Sequence, residues 1–158
     1  MCANCWGKAQ RAAFDDTTKS VTEHYQRILL EHPEHRVDES KGGRLAIVGS
    51  VSLAGNLNAY LIIDEVLDRY APELVISGGA KGIDSMAAER ARARGIEVQE
   101  FLPAFPRWED GYKPRNLEIA RECDALVRIA TRGSRTYGSG WTRDRAAEMG
   151  KPTEEFLI

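Results

Sequence analysis

From Gly43 onward, hydrophobic and polar positions alternate between two kinds of segment. Leu45 to Val48 is a short, uninterrupted apolar run that ends in Gly49-Ser50. Leu74-Val75-Ile76 is a second, ending in Ser77-Gly78-Gly79. Val98 to Leu102, Ala125 to Ala130 and Phe156 to Ile158 are read as the third, fourth and last strands. Between them lie stretches with apolar residues at helical spacing. The first runs from Leu57 to Tyr70, with Leu57, Leu61, Ile63, Val66, Leu67 and Tyr70 available for burial. The second runs from Ile83 to Arg94, and Gly95 supplies its stop. A short one spans Pro114 to Arg121, and a last one spans Ser139 to Met149, closed by Gly150 and Pro152. Pro103, Pro106 and Gly111 mark a long loop before the third helix.

Short apolar runs without hydrophobic/polar alternation predict strands buried on both faces. Strands alternating with helices then predict parallel βαβ units with right-handed crossovers. The expected fold is α/β: a doubly wound, Rossmann-like parallel sheet of about five strands in a three-layer sandwich. Ligands of such sheets sit beyond the carboxyl ends of the strands, at the switch point. Three of the four inner strands end in loops rich in Gly, Ser or Thr, so chemistry is expected there.

Before Gly42-Gly43 the pattern weakens. Ser20-Val21-Thr22-Glu23 reads as a capping box, followed by Val21, Tyr25, Ile28 and Leu29 at helical spacing. Pro33 stops this helix, and Glu34 to Lys41 reads as a charged linker. The expected organisation is a short N-terminal helical arm, residues 1–42, and one domain, residues 43–158. A length of 158 residues suits that division. The net charge of −2 gives no support to a generic nucleic-acid or membrane binder. No apolar run approaches the ~20 residues that span a bilayer. The opening MCANCWGKAQ carries no hydrophobic signal region, so a reducing, cytoplasmic setting is expected.

Cysteines Cys2, Cys5 and Cys123 are too few for a disulfide framework. Cys2-x-x-Cys5 has zinc half-site spacing, and His32-x-x-His35 could supply the other half. The second pair straddles Pro33, so a reduced terminus without metal is the preferred reading and no metal is expected at the ligand loops. Cys123 reads as a small core residue. Trp108 and Tyr112 either stack on a base or cover the sheet edge.

Ser77-Gly78-Gly79-Ala80-Lys81-Gly82-Ile83-Asp84 joins a strand to a helix. Its glycines let backbone N–H groups approach a ligand, and the helix N-terminus favours an anion. Asp84 is read as capping the helix or orienting the loop, with a catalytic acid as the lesser reading. Thr136-Tyr137-Gly138-Ser139-Gly140-Trp141-Thr142 repeats the design after the fourth strand. Arg128, Arg132, Arg135, Arg143 and Arg145 surround it, with Asp144 the one acid between them. For Arg143 and Arg145 a solvated basic helix face is nearly as good a reading. Gly49-Ser50-Val51-Ser52 follows the first strand, and three such loops on one edge are more specific than any one alone.

These residues, with Pro114-Arg115-Asn116, Pro103-Ala104-x-x-x-Trp108 and Gly150-Lys151-Pro152, resemble the YspA/YpsA-related branch of the SLOG superfamily. That superfamily includes the LOG phosphoribohydrolases, the molybdenum-cofactor carrier proteins and DprA. The resemblance covers about residues 44–158, in order. It implies binding of a nucleotide or nucleotide-derived ligand, ADP-ribose-like among the options, with no firm cofactor. By that resemblance Gly49 and Ser50 lie in the first ligand loop, and Ser77, Gly78, Gly79, Lys81 and Asp84 in the second. Arg115 and Asn116 sit under the ligand, and Gly138, Ser139 and Thr142 hold phosphate.

Two departures stand out. Val51 occupies a place where many relatives have arginine. Thr142 falls where the LOG hydrolases carry a catalytic glutamate, and a threonine is no general base at neutral pH. The expectation is therefore a small-molecule nucleotide binder, a sensor or carrier and a homo-oligomer, leaning away from an enzyme and without assigned catalytic residues. The rivals are a LOG-like nucleoside 5′-monophosphate phosphoribohydrolase, with Asp84 or Glu109 as its base, and a DprA-like single-stranded DNA binder using the arginines from Arg128 to Arg145. Nucleic acid is the lesser partner class, and no membrane partner is expected.

Overall fold

The structure, a computed structural model, describes residues 42–133 and 137–158. The helix read over Ser20 to Leu30, its linker, and Cys2, Cys5, His32 and His35 lie outside the described residues, as does Arg135. Five strands form one sheet: β1 Arg44–Gly49, β2 Leu74–Ser77, β3 Glu97–Glu100, β4 Ala125–Ala130 and β5 Thr153–Leu157. All pair in parallel, in the order β3-β2-β1-β4-β5. Four helices connect them: α1 Leu57–Tyr70, α2 Ile83–Ala93, α3 Lys113–Glu122 and α4 Tyr137–Glu148.

The uninterrupted apolar run of β1 has a direct cause. Leu45 and Ile47 point into a core shared with α1 and α2, which also takes Val75, Val127, Ile129 and Phe156. Ala46 and Val48 point the other way, into a core with Ile76, Ile119, Ala120, Leu126 and Ala146 under α3 and α4. A strand covered on both sides by helices has no polar face to show. This is the doubly wound, three-layer α/β sandwich.

Local signals set the ends of the helices. The Asn56 side chain accepts from the Ala59 amide at 3.0 Å and caps α1. Between α1 and α2, Asp64 draws in Arg90 at 2.8 Å and Arg94 at 3.1 Å.

Three expectations need correction. Only β2, β1 and β4 are inner strands; β3 and β5 are edges. The third strand runs from Glu97 to Glu100, not to Leu102, and its side chains are largely exposed, because backbone pairing to β2 holds it with Val98 alone packed on the core. The last strand begins at Thr153, where it comes into register with Leu126, and it buries only Glu154 and Phe156. The long loop before the third helix is not featureless either. Residues Trp108–Tyr112 form a π-helical turn that runs straight into α3. Gly111 permits it, since a Cβ there would collide with the Phe105 carbonyl oxygen.

Candidate functional site

At the carboxyl edge the chain leaves β1 toward the α1 face and leaves β4 toward the α4 face. Adjacent strands whose connections part in opposite directions leave a crevice between them. Its floor is tied across: the Ser50 amide donates to the Ile129 carbonyl at 3.0 Å, and the Ser50 hydroxyl accepts from the Thr131 amide at 3.2 Å. Ser50 is buried. Gly49 has no room for a side chain, because a Cβ would strike the Ile129 carbonyl and lie 2.6 Å from Ile83. Gly82, at φ +83°, is pressed against the first loop in the same way, with a Cβ 2.5 Å from the Ser50 carbonyl oxygen. The first two loops are therefore packed together without a gap.

Asp84 joins them. It stands in the first turn of α2, buried, with the backbone amides of Ala80, Gly78 and Gly49 bonded to its carboxylate. Burial outweighs these donors and the nearby Arg115 charge, and pushes its pKa up to about 6. Ser77 lies beneath: its hydroxyl donates to the Asp84 carbonyl at 3.2 Å and accepts from the Gly79 amide at 3.1 Å. Arg115, near the start of α3, donates to the carbonyls of Gly78 and Phe101, and its Nε donates to the buried Asn116 side chain at 2.7 Å. Burial lowers the Arg115 pKa, against the pull of Asp84. Gly78 sits between the two charges, so that a Cβ would be 2.7 Å from Asp84 Oδ2 and 2.8 Å from Arg115 Nη1. Arg115 and Asn116 thus lie directly under the second loop. Gly79 and Lys81 form its exposed crest, with the Leu102 side chain leaning over Gly79.

The third loop brings Gly138 and Ser139 to the start of α4. Among the described residues, nothing lies within 4 Å of a Cβ built on Gly138. The Ser139 hydroxyl accepts from Arg128 Nε at 3.0 Å. Thr142 is fully buried, and its hydroxyl donates to the Gly138 carbonyl one turn back at 2.8 Å.

The cluster of arginines differs from a free basic surface. Arg128 is buried and pairs with Glu155 at 2.5 Å; Arg143 reaches the same carboxylate and Asp144; Arg145 pairs with Glu148 at 2.6 Å and lies over the Trp141 ring. Glu155, from the next strand, was not part of the expected picture. Its signal was available: a charged residue inside a strand buried on both faces, as Arg128 is, requires a partner. Trp108 packs edge-to-face on Trp141 at 5.4 Å, which makes it part of the loop's packing, and Tyr112 sits beside Arg115. Among the described residues no group of three or more Cys, His, Asp or Glu could hold a metal, and no helix is long and apolar enough to cross a membrane.

No protein-family model matches the chain, and no curated protein matches it. Among solved structures it is similar to DNA processing protein A (DprA) from Streptococcus pneumoniae, at 17% identity and a TM-score of 0.44. The likeness covers 78% of this chain and 60% of that one, so this chain spans less than two thirds of its length. The Rossmann-like fold stands on the strand order and the two helix layers themselves.

Proposed function

We propose that this chain binds a nucleotide or nucleotide-derived phosphate ligand at the carboxyl edge of its sheet, as a sensor or carrier of the YspA/YpsA-related kind. One observation carries the reading. Gly49 and Gly82 are glycines because neighbours leave no room for a side chain, and Gly82 also has a positive φ. Gly138 has neither reason among the described residues: its φ is not positive and none of them comes within 4 Å of a Cβ built there. Open backbone at the first turn of a helix beside a switch point is what an approaching phosphate needs. Direct contact is assigned to Gly79, Lys81, Gly138 and Ser139. Gly49, Ser50, Ser77, Gly78, Asp84, Arg115 and Asn116 build the frame, and Thr142 secures the first turn of α4.

The test is calorimetry with the four ribonucleoside 5′-monophosphates, alongside mass spectrometry of small molecules retained by the purified protein. Gly138→Val should fold, since a Cβ there meets none of the described residues, and should lose binding at least tenfold. Unchanged affinity in a folded Gly138→Val protein would remove the loop from the site. Release of free base would instead favour the phosphoribohydrolase. Uptake of a single-stranded oligonucleotide, with affinity falling steeply in salt, would favour DNA binding.

A further inference from the structure

We infer that the outer face of α1 is the docking surface for residues 1–41 of this same chain. An outer helix of a three-layer sandwich ordinarily turns one face to water. Accordingly α2 exposes Glu89 and Arg92, α3 exposes Glu118 and Arg121, and α4 exposes Asp144 and Glu148. Helix α1 does not follow. From Asn58 to Tyr70 every residue is buried or half-buried. Described neighbours account for part of that. Ile62, Ile63, Val66, Leu67 and Tyr70 face the core over the sheet. Asp64 and Asp68 turn toward α2, where Arg90 and Arg94 meet them. Leu61 is left over. It stands roughly 160° round the helix from Ile63, on the side away from the sheet. It is nonetheless only 4% exposed, and it belongs to neither hydrophobic core. A leucine withdrawn from water outside both cores requires further apolar surface laid over it.

Two arguments commit that cover to the chain's own N-terminal segment. The first is where the chain leads. A Cβ built on Gly42 lies 2.9 Å from the Glu73 side chain, just past the C-terminus of α1. Residues 1–41 therefore join the described chain at the foot of α1. Residues 134–136 lead instead into α4, on the opposite face of the sheet. The charged stretch Glu34 to Lys41 reaches at most about 28 Å when extended, more than the length of α1, about 21 Å. The second argument is pattern and size. Val21, Tyr25, Ile28 and Leu29, read as one helical stripe, would span about 12 Å. The covered outer face from Leu61 to Asp68 spans about 10 Å at the same rise. Leu57, one turn earlier, is 51% exposed. The cover thus stops short of the carboxyl edge and leaves the ligand loops clear.

Thiol labelling of the full chain tests the assignment. Leu61→Cys places a reporter under the cover, and Cys123, buried in the core on the other face of the sheet, reports on the fold. Peptide mass mapping separates position 61 from Cys2, Cys5 and Cys123. Position 61 should label slowly. Tyr25→Ser/Ile28→Ser in the same chain should speed it roughly tenfold or more, as local opening becomes easier, with Cys123 labelling unchanged. Equal rates at position 61 with and without the two serines would overturn the inference. So would a rate that rises as the protein is diluted, which would assign the cover to a second copy. Equal acceleration at position 61 and Cys123 would make the segment part of the core rather than a docked element, and would overturn it too. If Leu61→Cys fails to fold, amide exchange in the unaltered chain decides. Residues 21–30 should exchange at least tenfold more slowly than in a free peptide of residues 18–32; exchange as fast as in the peptide would refute the docking. None of these outcomes touches the ligand-binding reading.

Discussion

Replacing Asp84 by asparagine should stabilise the fold above neutral pH. Burial raises the folded carboxyl from the 3.8 of a free side chain to about 6. The folded protein therefore holds this proton more tightly than the unfolded chain does. Its stabilising contribution is complete below about pH 4 and is lost as the pH rises through 6. At 1.36 kcal/mol per tenfold change in acidity, the ionised form at pH 8 costs roughly 3 kcal/mol relative to the neutral one. Asparagine imitates the neutral acid: it keeps a carbonyl oxygen for the amides of Gly49, Gly78 and Ala80 and cannot ionise. For a chain of this length each kcal/mol moves the melting midpoint by roughly 2–4 °C. Asp84→Asn should then melt roughly 6–12 °C above the unaltered protein at pH 8. The gap should shrink through pH 6 and close near pH 4. Paired melts followed by far-UV circular dichroism measure it, and the difference cancels every other titrating group. An unaltered protein that is the more stable at pH 8, or a gap that ignores pH, would refute the account of Asp84 as a carboxylate held against its solvation preference. A buried acid with a perturbed pKa is common where loops serve a ligand.

Two further substitutions probe the frame. Gly49→Ala drives a methyl group into the backbone of the neighbouring strand, where neither partner can yield, and should cost about 3 kcal/mol or more in urea denaturation; a loss under 1 kcal/mol would show that β1 and β4 can separate there. Thr142→Val removes a hydroxyl that serves its own helix and should cost about 1 kcal/mol or less with nucleotide affinity unchanged in calorimetry, whereas a tenfold weakening would mean that the hydroxyl turns toward the ligand.

The inner strands were legible because their constraint is simple. Leu45 to Val48 and Ala125 to Ala130 sit between two helix layers, and nothing but apolar side chains fits most of those positions. The edge strands were legible as strands, but their bounds were not. Glu97 to Glu100 is held by hydrogen bonds to β2 with Val98 alone packed on the core, so the apolar Phe101-Leu102 beyond its end drew the predicted strand too far. Burial on one side only leaves Thr153 to Leu157 with two inward residues, one of them Glu154, so the apolar signal marks only its Phe156 end. The three loops were visible through their glycines, but not the separate reasons for each. Gly49 is set by Ile129, which is distant in sequence, and Gly138 by none of the described residues. Asp84 was legible as an orienting residue because its place in a first helical turn limits what it can do. The pairing of Arg128 with Glu155 depends on strand order, which no local pattern encodes.

The central position of β1 also fixes the order in which the site can be completed. Among the described strands β1 emerges first from a ribosome, yet one of its two neighbours, β4, arrives much later; the Arg44–Asp124 contact at their shared end spans 80 residues. A nascent chain can pair β1 with β2, and β2 with β3, early and assemble the loops that meet at Asp84. The crevice stays open on one side until β4 docks and Thr131 meets Ser50. Closing so long a loop is slow, and the exposed edge of β1 is vulnerable to misassociation meanwhile. A ligand that bridges the second and third loops could engage only the finished sheet, so its binding would draw late intermediates toward the native state and act as a check on completed synthesis.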